Sequence, residues 1–440
     1  MANKEESKKL FIQTLGCQMN STDTMHMMAE LKEHNNYDVT DTMEDADLII
    51  INTCSVREKP VQKLFSEIGQ FNVKKKKGAK IGVSGCTASH LGKEIIKRAP
   101  YVDFVLGARN ISKISDIVDK KGSVEIDIKN DESTYEFAEY KNTMYRTSVN
   151  ISVGCDKECT YCIVPATRGV EISIPPEMIV SEIKKSVKYG AVEVTLLGQN
   201  VNSYGRRFSD NRSKYSFTKL LQDISAIPEI KRIRFTSPHP LHMDDEFIEE
   251  FASNEKISNC IHMPLQSGST SILKTMKRGY TKEWFLNRVQ KIKDLVPEVR
   301  ITTDIIVGFP GETDEDFAHT MDVIEQVKFD QIFNFKYSPR PNTAAEKMTD
   351  LVDNKVASKR LVDVIELSKL QMDVHMRAKV GSVMEVLFED LKPNGEIAGF
   401  TDNYCQVFVK GSDELLGKIV KVKIISNSRT SLKGELLKLS

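Results

Sequence analysis

Residues 150–170 read Asn150-Ile-Ser-Val-Gly-Cys155-Asp-Lys-Glu-Cys159-Thr-Tyr-Cys162-Ile-Val-Pro-Ala-Thr-Arg168-Gly-Val170. A short apolar strand, Val149–Val153, runs into a loop that carries Cys155, Cys159 and Cys162 in the spacing C-x3-C-x2-C. Three thiols this close can hold three corners of a cubane iron–sulfur cluster, whose sites ordinarily take four cysteines. A set of three leaves one iron open, which a catalytic centre needs and a structural centre avoids. Zinc motifs pair a C-x2-C with a second Cys or His pair further on, and no such pair follows Cys162. Three cysteines in eight residues also cannot all pair with one another as disulfides. Lys157 and Arg168 flank the loop and are expected to help hold its thiols deprotonated.

Upstream, over residues 1–125, three apolar runs each end in a cysteine. Leu10–Gly16 leads to Cys17, Leu48–Thr53 to Cys54 and Lys80–Gly85 to Cys86. Each run reads as a buried parallel strand followed by a helix, with Ser21, Ser55 or Ser89 available as a cap. A fourth strand, Val102–Leu106, lacks the cysteine. In an open parallel sheet all carboxyl ends lie on one edge, where ligands bind. Cys17, Cys54 and Cys86 therefore converge in space, and a second three-cysteine centre with one open iron is expected there. Asn20 and Asp23 either line this edge or serve as cap and solvated helix residues. Met25, Met27 and Met28 read as core.

The chain of 440 residues suggests about three domains. No run of 18 apolar residues predicts a membrane span, and Met1–Lys9 has no apolar segment of a signal peptide. A reducing cytoplasm is expected, where eight cysteines favour metal binding or catalysis over disulfides. A formal net charge of zero neither requires nor excludes nucleic acid. The basic run Lys74–Lys77 reads as a solvated helix end. Cys260 and Cys405, each placed in a strand, read as inert core residues.

Residues 126–145 are polar and charged and read as a linker. From 146 to 375 strands alternate with helices. The strands are Val149–Val153, Val192–Leu197, Arg232–Thr236, Cys260–Leu265, Arg300–Ile306 and Gln331–Phe335; the helices are Pro176–Tyr189, Phe217–Ala226, Asp244–Ser253, Trp284–Leu295 and Asp314–Val327. Six such units predict an incomplete (β/α)6 barrel, open on one side. Chemistry in barrels sits at the carboxyl ends of the strands, where this sequence places its Gly-, Pro- and amide-rich loops. His239 and His262 read equally as acid–base groups or as packed histidines. Lys277-Arg278-Gly279-Tyr280 reads equally as a phosphate-and-base contact or as an exposed helix end.

Residues 353–378 form an amphipathic helix with Ala357, Leu361, Val364, Ile365, Met372 and Met376 on one face, interrupted by Ser368. Residues 376–440 then read as a small closed β-barrel. Lys418, Lys421, Lys423, Arg429, Lys433 and Lys438, faced only by Glu435, suggest either an RNA-binding surface or a solvated one. The fold class is thus α/β: an open parallel sheet, an incomplete barrel and a small β-barrel.

The C-x3-C-x-aromatic-C spacing resembles the radical S-adenosylmethionine (SAM) enzymes. The whole chain, in its three segments and six matching cysteines, resembles the methylthiotransferases, whose C-terminal module is an RNA-binding TRAM domain. Within them it is most similar to the tRNA-modifying members. Gly16-Cys17-Gln18-Met19-Asn20, Asn52-Thr53-Cys54-Ser55-Val56-Arg57-Glu58, Leu196–Tyr204, Ser237-Pro238-His239-Pro240 and Lys277–Thr281 carry that likeness. The resemblance implies two [4Fe-4S] clusters, one on each cysteine set, with SAM on the open iron of the barrel cluster. SAM contacts are expected from Tyr161, Gln199, Ser237, Gln266, Asp304 and Glu312. It further implies that a SAM-derived radical takes hydrogen from carbon 2 of isopentenyladenosine next to the tRNA anticodon, where a methylthio group is inserted. The implied partners are the anticodon loop and a flavodoxin- or ferredoxin-type electron donor, with no membrane. No catalytic side chain beyond the cluster ligands is expected, because an unactivated C–H leaves little for an acid or base to do. Competing expectations are methylthiolation of threonylcarbamoyladenosine or of a ribosomal-protein aspartate, and a non-catalytic iron–sulfur RNA-binding or electron-transfer protein. Two positions depart from the family pattern: Ala166 stands where Tyr is usual and Ile174 where Arg is usual. Both bear on contacts just beyond the cysteine loop.

Overall fold

The computed structural model describes residues 7–55, 58–128, 138, 145–208 and 215–437. Most of the expected linker, Val56 and Arg57, and Lys438 lie outside them.

The N-terminal domain is a parallel sheet of β1 (Lys8–Leu15), β2 (Tyr37–Val39), β3 (Leu48–Thr53), β4 (Lys80–Gly85), β5 (Phe104–Gly107) and β6 (Ser123–Glu125), in the order β2-β1-β3-β4-β5-β6. The two short edge strands β2 and β6 add to the expected four. The continuous apolar run of β3 follows from its burial on both faces. Ile49 and Ile51 pack under α2 (Glu58–Lys74) with Leu64, Ile68 and Phe71. Leu48 and Ile50 pack under α1 (Gln18–Asn35) with Met27 and Leu31. The short helices α3 (Cys86–Leu91), α4 (Lys93–Arg98) and α5 (Ile114–Ile117) complete the layers.

The central barrel holds the six expected strands and five expected helices within a few residues of their predicted bounds. It consists of two three-stranded parallel sheets, β11-β10-β7 and β12-β13-β14, joined by a bridge between Ile233 and Ile257. The first predicted strand is broken. β7 (Arg146–Asn150) stays in the barrel, while β8 (Ser152–Val153) turns off to pair antiparallel with β9 (Ile172–Ser173). This two-residue ladder closes the neck of the cysteine loop. The remaining strands are β10 (Glu193–Leu197), β11 (Arg232–Phe235), β12 (Cys260–His262), β13 (Arg300–Val307) and β14 (Gln331–Lys336). β12 ends early because Pro264 has no N–H to offer the ladder. Around them lie α6 (Val164–Arg168), α7 (Pro176–Val187), α8 (Phe217–Ser225), α9 (Asp245–Ser253), α10 (Thr270–Thr275), α11 (Lys282–Leu295) and α12 (Asp314–Val327). No described helix is long and apolar enough to cross a membrane.

Helix α13 (Asn354–Ala378) leads to a closed barrel of β15 (Val383–Leu391), β16 (Glu396–Thr401), β17 (Gln406–Lys410), β18 (Ile419–Asn427) and β19 (Ser431–Leu436), ordered β15-β16-β17-β19-β18. Cys405 is buried just ahead of β17 rather than within a strand. The turn from Phe400 to Cys405 sits against the amino ends of the central strands. There Arg234 donates to the Thr401 and Asp402 carbonyls, both at 2.8 Å, and Arg300 to the Tyr404 carbonyl at 2.7 Å. Buried Glu193 accepts from Arg234 at 2.8 Å and from Arg232 at 3.2 Å.

Candidate active site

The N-terminal thiols are set by strand register. Leu15 pairs with Thr53 and Thr53 with Gly85, so the chain leaves β1, β3 and β4 at one level. Gly85 has φ 93°, and a Cβ there would lie 2.3 Å from the Thr53 carbonyl, so only glycine brings Cys86 this close to β3. The expected serine caps are not used in two of the three helices. Cys17 itself is the N-cap of α1, where Asn20 Oδ1 accepts from its N–H at 3.2 Å and from its thiol at 3.3 Å. Cys86 opens α3, and the Ser89 hydroxyl accepts from Ala108 N–H at 2.9 Å. Asn20 thus serves both of its expected roles at once.

Cys54 hydrogen-bonds with both Cys17 and Cys86. Lying between the two, Cys54 has one proton to offer either neighbour and is held far above the ordinary thiol range. Cys17 and Cys86 fall to about 6, chiefly through the hydrogen bond with Cys54, with the Arg168 charge adding to it. Arg168 Nε donates to Cys86 Sγ at 3.3 Å, and its terminal nitrogen pairs with Asp23 at 2.9 Å. The expectation that Arg168 serves its own loop is therefore corrected. It reaches across to the other cysteine set.

The barrel thiols differ. Burial pushes Cys155 up to about 12 and Cys162 up to about 11. Lys157 opposes this rise at Cys155 through a backbone hydrogen bond rather than through its ammonium group, and burial lowers its own pKa. The arginine on this triad is Arg278, which donates to Cys159 Sγ at 3.3 Å and to the Pro264 carbonyl at 2.9 Å. The Lys277–Tyr280 stretch is split: Lys277 and Gly279 are exposed just past the end of α10, whereas Arg278 and Tyr280 are buried. The neighbours of Arg278 in the chain carry no signal beyond a charge after a helix; the thiol partner is 119 residues away.

The remaining expected residues ring this loop. Gln199 accepts from Gly154 N–H at 2.5 Å, and its amide nitrogen lies 2.6 Å from Met19 Sδ, beside Cys17's helix. Tyr161 packs edge-on against Phe309 at 6.3 Å. Ser237 and Gln266 take left-handed backbone with φ 57° and 74°. Such strain costs about 1–3 kcal/mol per residue and gathers at functional sites. Asp304 accepts from His262 at 3.2 Å. Glu312 spends its carboxylate on its own loop, accepting from Gly308 N–H at 2.9 Å and from Arg360 at 2.8 Å.

Among the described residues no three Cys, His, Asp or Glu side chains converge tightly enough to grip one metal ion. A single ion needs donors at about 2.3 Å or less, so soft thiols in two sets of three suit a larger polynuclear group. Room for a polar ligand shows as buried atoms without a partner among the described residues: Ser152 Oγ and both side-chain atoms of Asn200. Asn150 Oδ1, Glu171 Oε2 and the Nε2 atoms of His239 and His242 share that condition. Both histidines are kept neutral, first by burial; His242 falls to about 3. His239 is packed, its Nδ1 accepting from Leu241 N–H at 3.2 Å. Ala166 is exposed on α6, whereas Ile174 is buried beside Asp23, His26, Arg168 and Glu182 in a small cavity between sheet and barrel.

On the C-terminal barrel Lys418, Lys421, Lys423, Arg429 and Lys433 are exposed. More acids face them than Glu435 alone: Glu385 stands opposite Lys421, and Glu396 lies 3.9 Å from Lys433. Closure of the barrel brings in these residues from strands distant in sequence.

Three domain descriptions match the chain: Uncharacterized protein family UPF0004 over residues 9–107, Radical SAM superfamily over 149–324 and TRAM domain over 377–437. A radical SAM methyltransferase, TsrM from Kitasatospora setae, shares the fold with TM-score 0.56 at 12% identity, covering 78% of this chain and 74% of that one. The fold and the cysteine loop thus define a radical SAM enzyme, which brings SAM and [4Fe-4S] clusters as its cofactors. The chain is 72% identical to the tRNA-2-methylthio-N(6)-dimethylallyladenosine synthase of Aliarcobacter butzleri, over 98% of this chain and 99% of the relative. It is 63% identical to that of Sulfurovum sp., over 98% and 100%. The chain belongs to the tRNA-2-methylthio-N(6)-dimethylallyladenosine synthase family.

Proposed function

We propose that this protein inserts a methylthio group at carbon 2 of isopentenyl (dimethylallyl) adenosine next to the tRNA anticodon. Cys155, Cys159 and Cys162 would hold the cluster that binds SAM, and Cys17, Cys54 and Cys86 the auxiliary cluster. When bound, the first supplies the electron that cleaves SAM and the second carries the sulfur to be inserted. The chain's own groups hold and orient. Gln199 ties the cysteine loop to the helix behind Cys17. Glu312 shapes the Gly308–Gly311 loop, and Arg278 fixes Cys159. Tyr161, Ser237, Gln266 and Asp304, with the unpartnered Asn200 and Ser152, would line the SAM pocket. Neutral His239 and His242 are suited to orient rather than to transfer protons. The exposed lysines of β18 and β19 would meet RNA phosphates, so tRNA binding would weaken as salt rises. A flavodoxin- or ferredoxin-type protein in the cytoplasm would supply electrons.

The observation that carries this reading is the presence of two thiol triads, each with its own buried arginine donating to one of its sulfurs, in a chain of this family. Anaerobic reconstitution with iron and sulfide should give about eight irons per chain. Cys159→Ala should abolish reductant-dependent formation of 5′-deoxyadenosine. Cys54→Ala should leave some SAM cleavage but no methylthio product; full activity there would remove the auxiliary centre. The modified nucleosides of tRNA from a deletion strain should lack the methylthio group on isopentenyladenosine. Loss on threonylcarbamoyladenosine or on a ribosomal aspartate instead would redirect the substrate.

A further inference from the structure

Each thiol triad touches one buried guanidinium, and the two are deployed differently. Arg278 bonds to Cys159, Pro264 O and Tyr280 Oη, and has no carboxylate partner among the described residues. Arg168 bonds to Cys86 and to Asp23, a carboxylate that is itself buried. Its side chain is only 3% exposed although its backbone belongs to the loop of the other triad. Asp23 lies on α1, nearly two turns beyond Cys17. The sheet-edge triad is therefore flanked by a guanidinium supplied by the barrel and by a buried carboxylate supplied by the sheet, whose ionised form the guanidinium favours at 2.9 Å against the cost of burial.

Resting on the reading that both triads hold [4Fe-4S] clusters, we infer that Arg168 and Asp23 are positioning residues that set the reduction potential of the sheet-edge cluster. The barrel cluster does not answer to them. Cluster potentials follow net charge and hydrogen bonds to the sulfurs. Reduction adds one electron and one negative charge, and breaks no bond. A guanidinium donating to Cys86 stabilises that added charge and raises the potential. The Asp23 carboxylate opposes it, and also holds the guanidinium plane in place. The two groups therefore act with opposite signs on one centre, whereas two residues that merely support the fold would act alike when removed.

The test uses the full chain carrying Cys155→Ala, Cys159→Ala and Cys162→Ala, reconstituted anaerobically so that only the sheet-edge cluster forms. Its midpoint is read by dithionite titration followed by electron paramagnetic resonance. Arg168→Gln should move the midpoint to more negative potential. Arg168→Lys should move it less in the same direction, because a point charge remains without the fork. Asp23→Asn should move it to more positive potential. In the complementary background, with Cys17→Ala, Cys54→Ala and Cys86→Ala, the same variants should leave the barrel midpoint in place. An unmoved sheet-edge midpoint, or shifts of one sign in all three variants, overturns the inference. If Arg168→Gln fails to assemble a cluster, the opposite signs of Arg168→Lys and Asp23→Asn still decide it. Failure of the parent background to hold four irons overturns the two-cluster reading instead.

Discussion

Glu171 is buried between Ser203 and the Asp156 side of the cysteine loop, and burial raises its carboxyl to about 7. Below the ordinary carboxyl range both folded and unfolded states hold the proton, and the group is neutral to stability. As pH rises to about 7 the unfolded chain ionises while the folded one resists, so stability falls across that window. Above it the full cost of about 3 kcal/mol is present. Glu171→Gln should therefore raise the melting temperature of the cluster-free protein at pH 8 and do little at pH 4.5; equal gains at both would show that the charge is not the cause. At this scale the cysteines were legible, because spacing and strand ends are local facts. The arginines were not. Arg168 flanks the cysteine loop in the chain, yet it ends α6 and its side chain reaches Cys86. Arg278 meets its thiol only once the barrel has closed.

At the scale of elements, α13 shows why an amphipathic pattern tells less than the whole. Ser368 and Arg360 are as buried as Ala357 and Val364, so the polar break in the stripe packs inward too. Arg360 pairs with Glu312 at 2.8 Å and with Asp314 at 2.7 Å, tying the helix to the loop after β13. Removing one member of a buried pair costs about 3–5 kcal/mol. Arg360→Met should lower stability by that order and weaken SAM binding, since Glu312 then no longer holds the Gly308 and Phe309 amides in register; binding calorimetry on reconstituted protein checks the second effect. The six central strands were legible because each is a short apolar run between turn residues. The turn of β8 out of the barrel was not, because Ile151 and Val153 look alike in sequence and only the pairing with β9 separates them.

Over the whole molecule, the amino ends of the barrel strands are polar rather than apolar. Arg146, Arg232, Arg234 and Arg300 meet the Phe400–Cys405 turn and the neighbouring Glu389, with Glu193 as the buried counter-charge. Glu193→Leu would leave buried Arg234 without a carboxylate and Arg232 with only Asp402 at 3.4 Å, and should cost about 3–5 kcal/mol. Hydrogen exchange should quicken at residues 400–405 while the strands of the N-terminal sheet keep their protection. This junction lay beyond sequence reading because its members are scattered over the chain and each alone is an ordinary surface charge. The Arg168 contact has a further meaning in the order of synthesis. A chain emerging from the ribosome presents Cys17, Cys54 and Cys86 before Arg168 exists, so one domain sets out the thiols and the next delivers the buried charge beside Cys86, while Cys17 stays open to solvent.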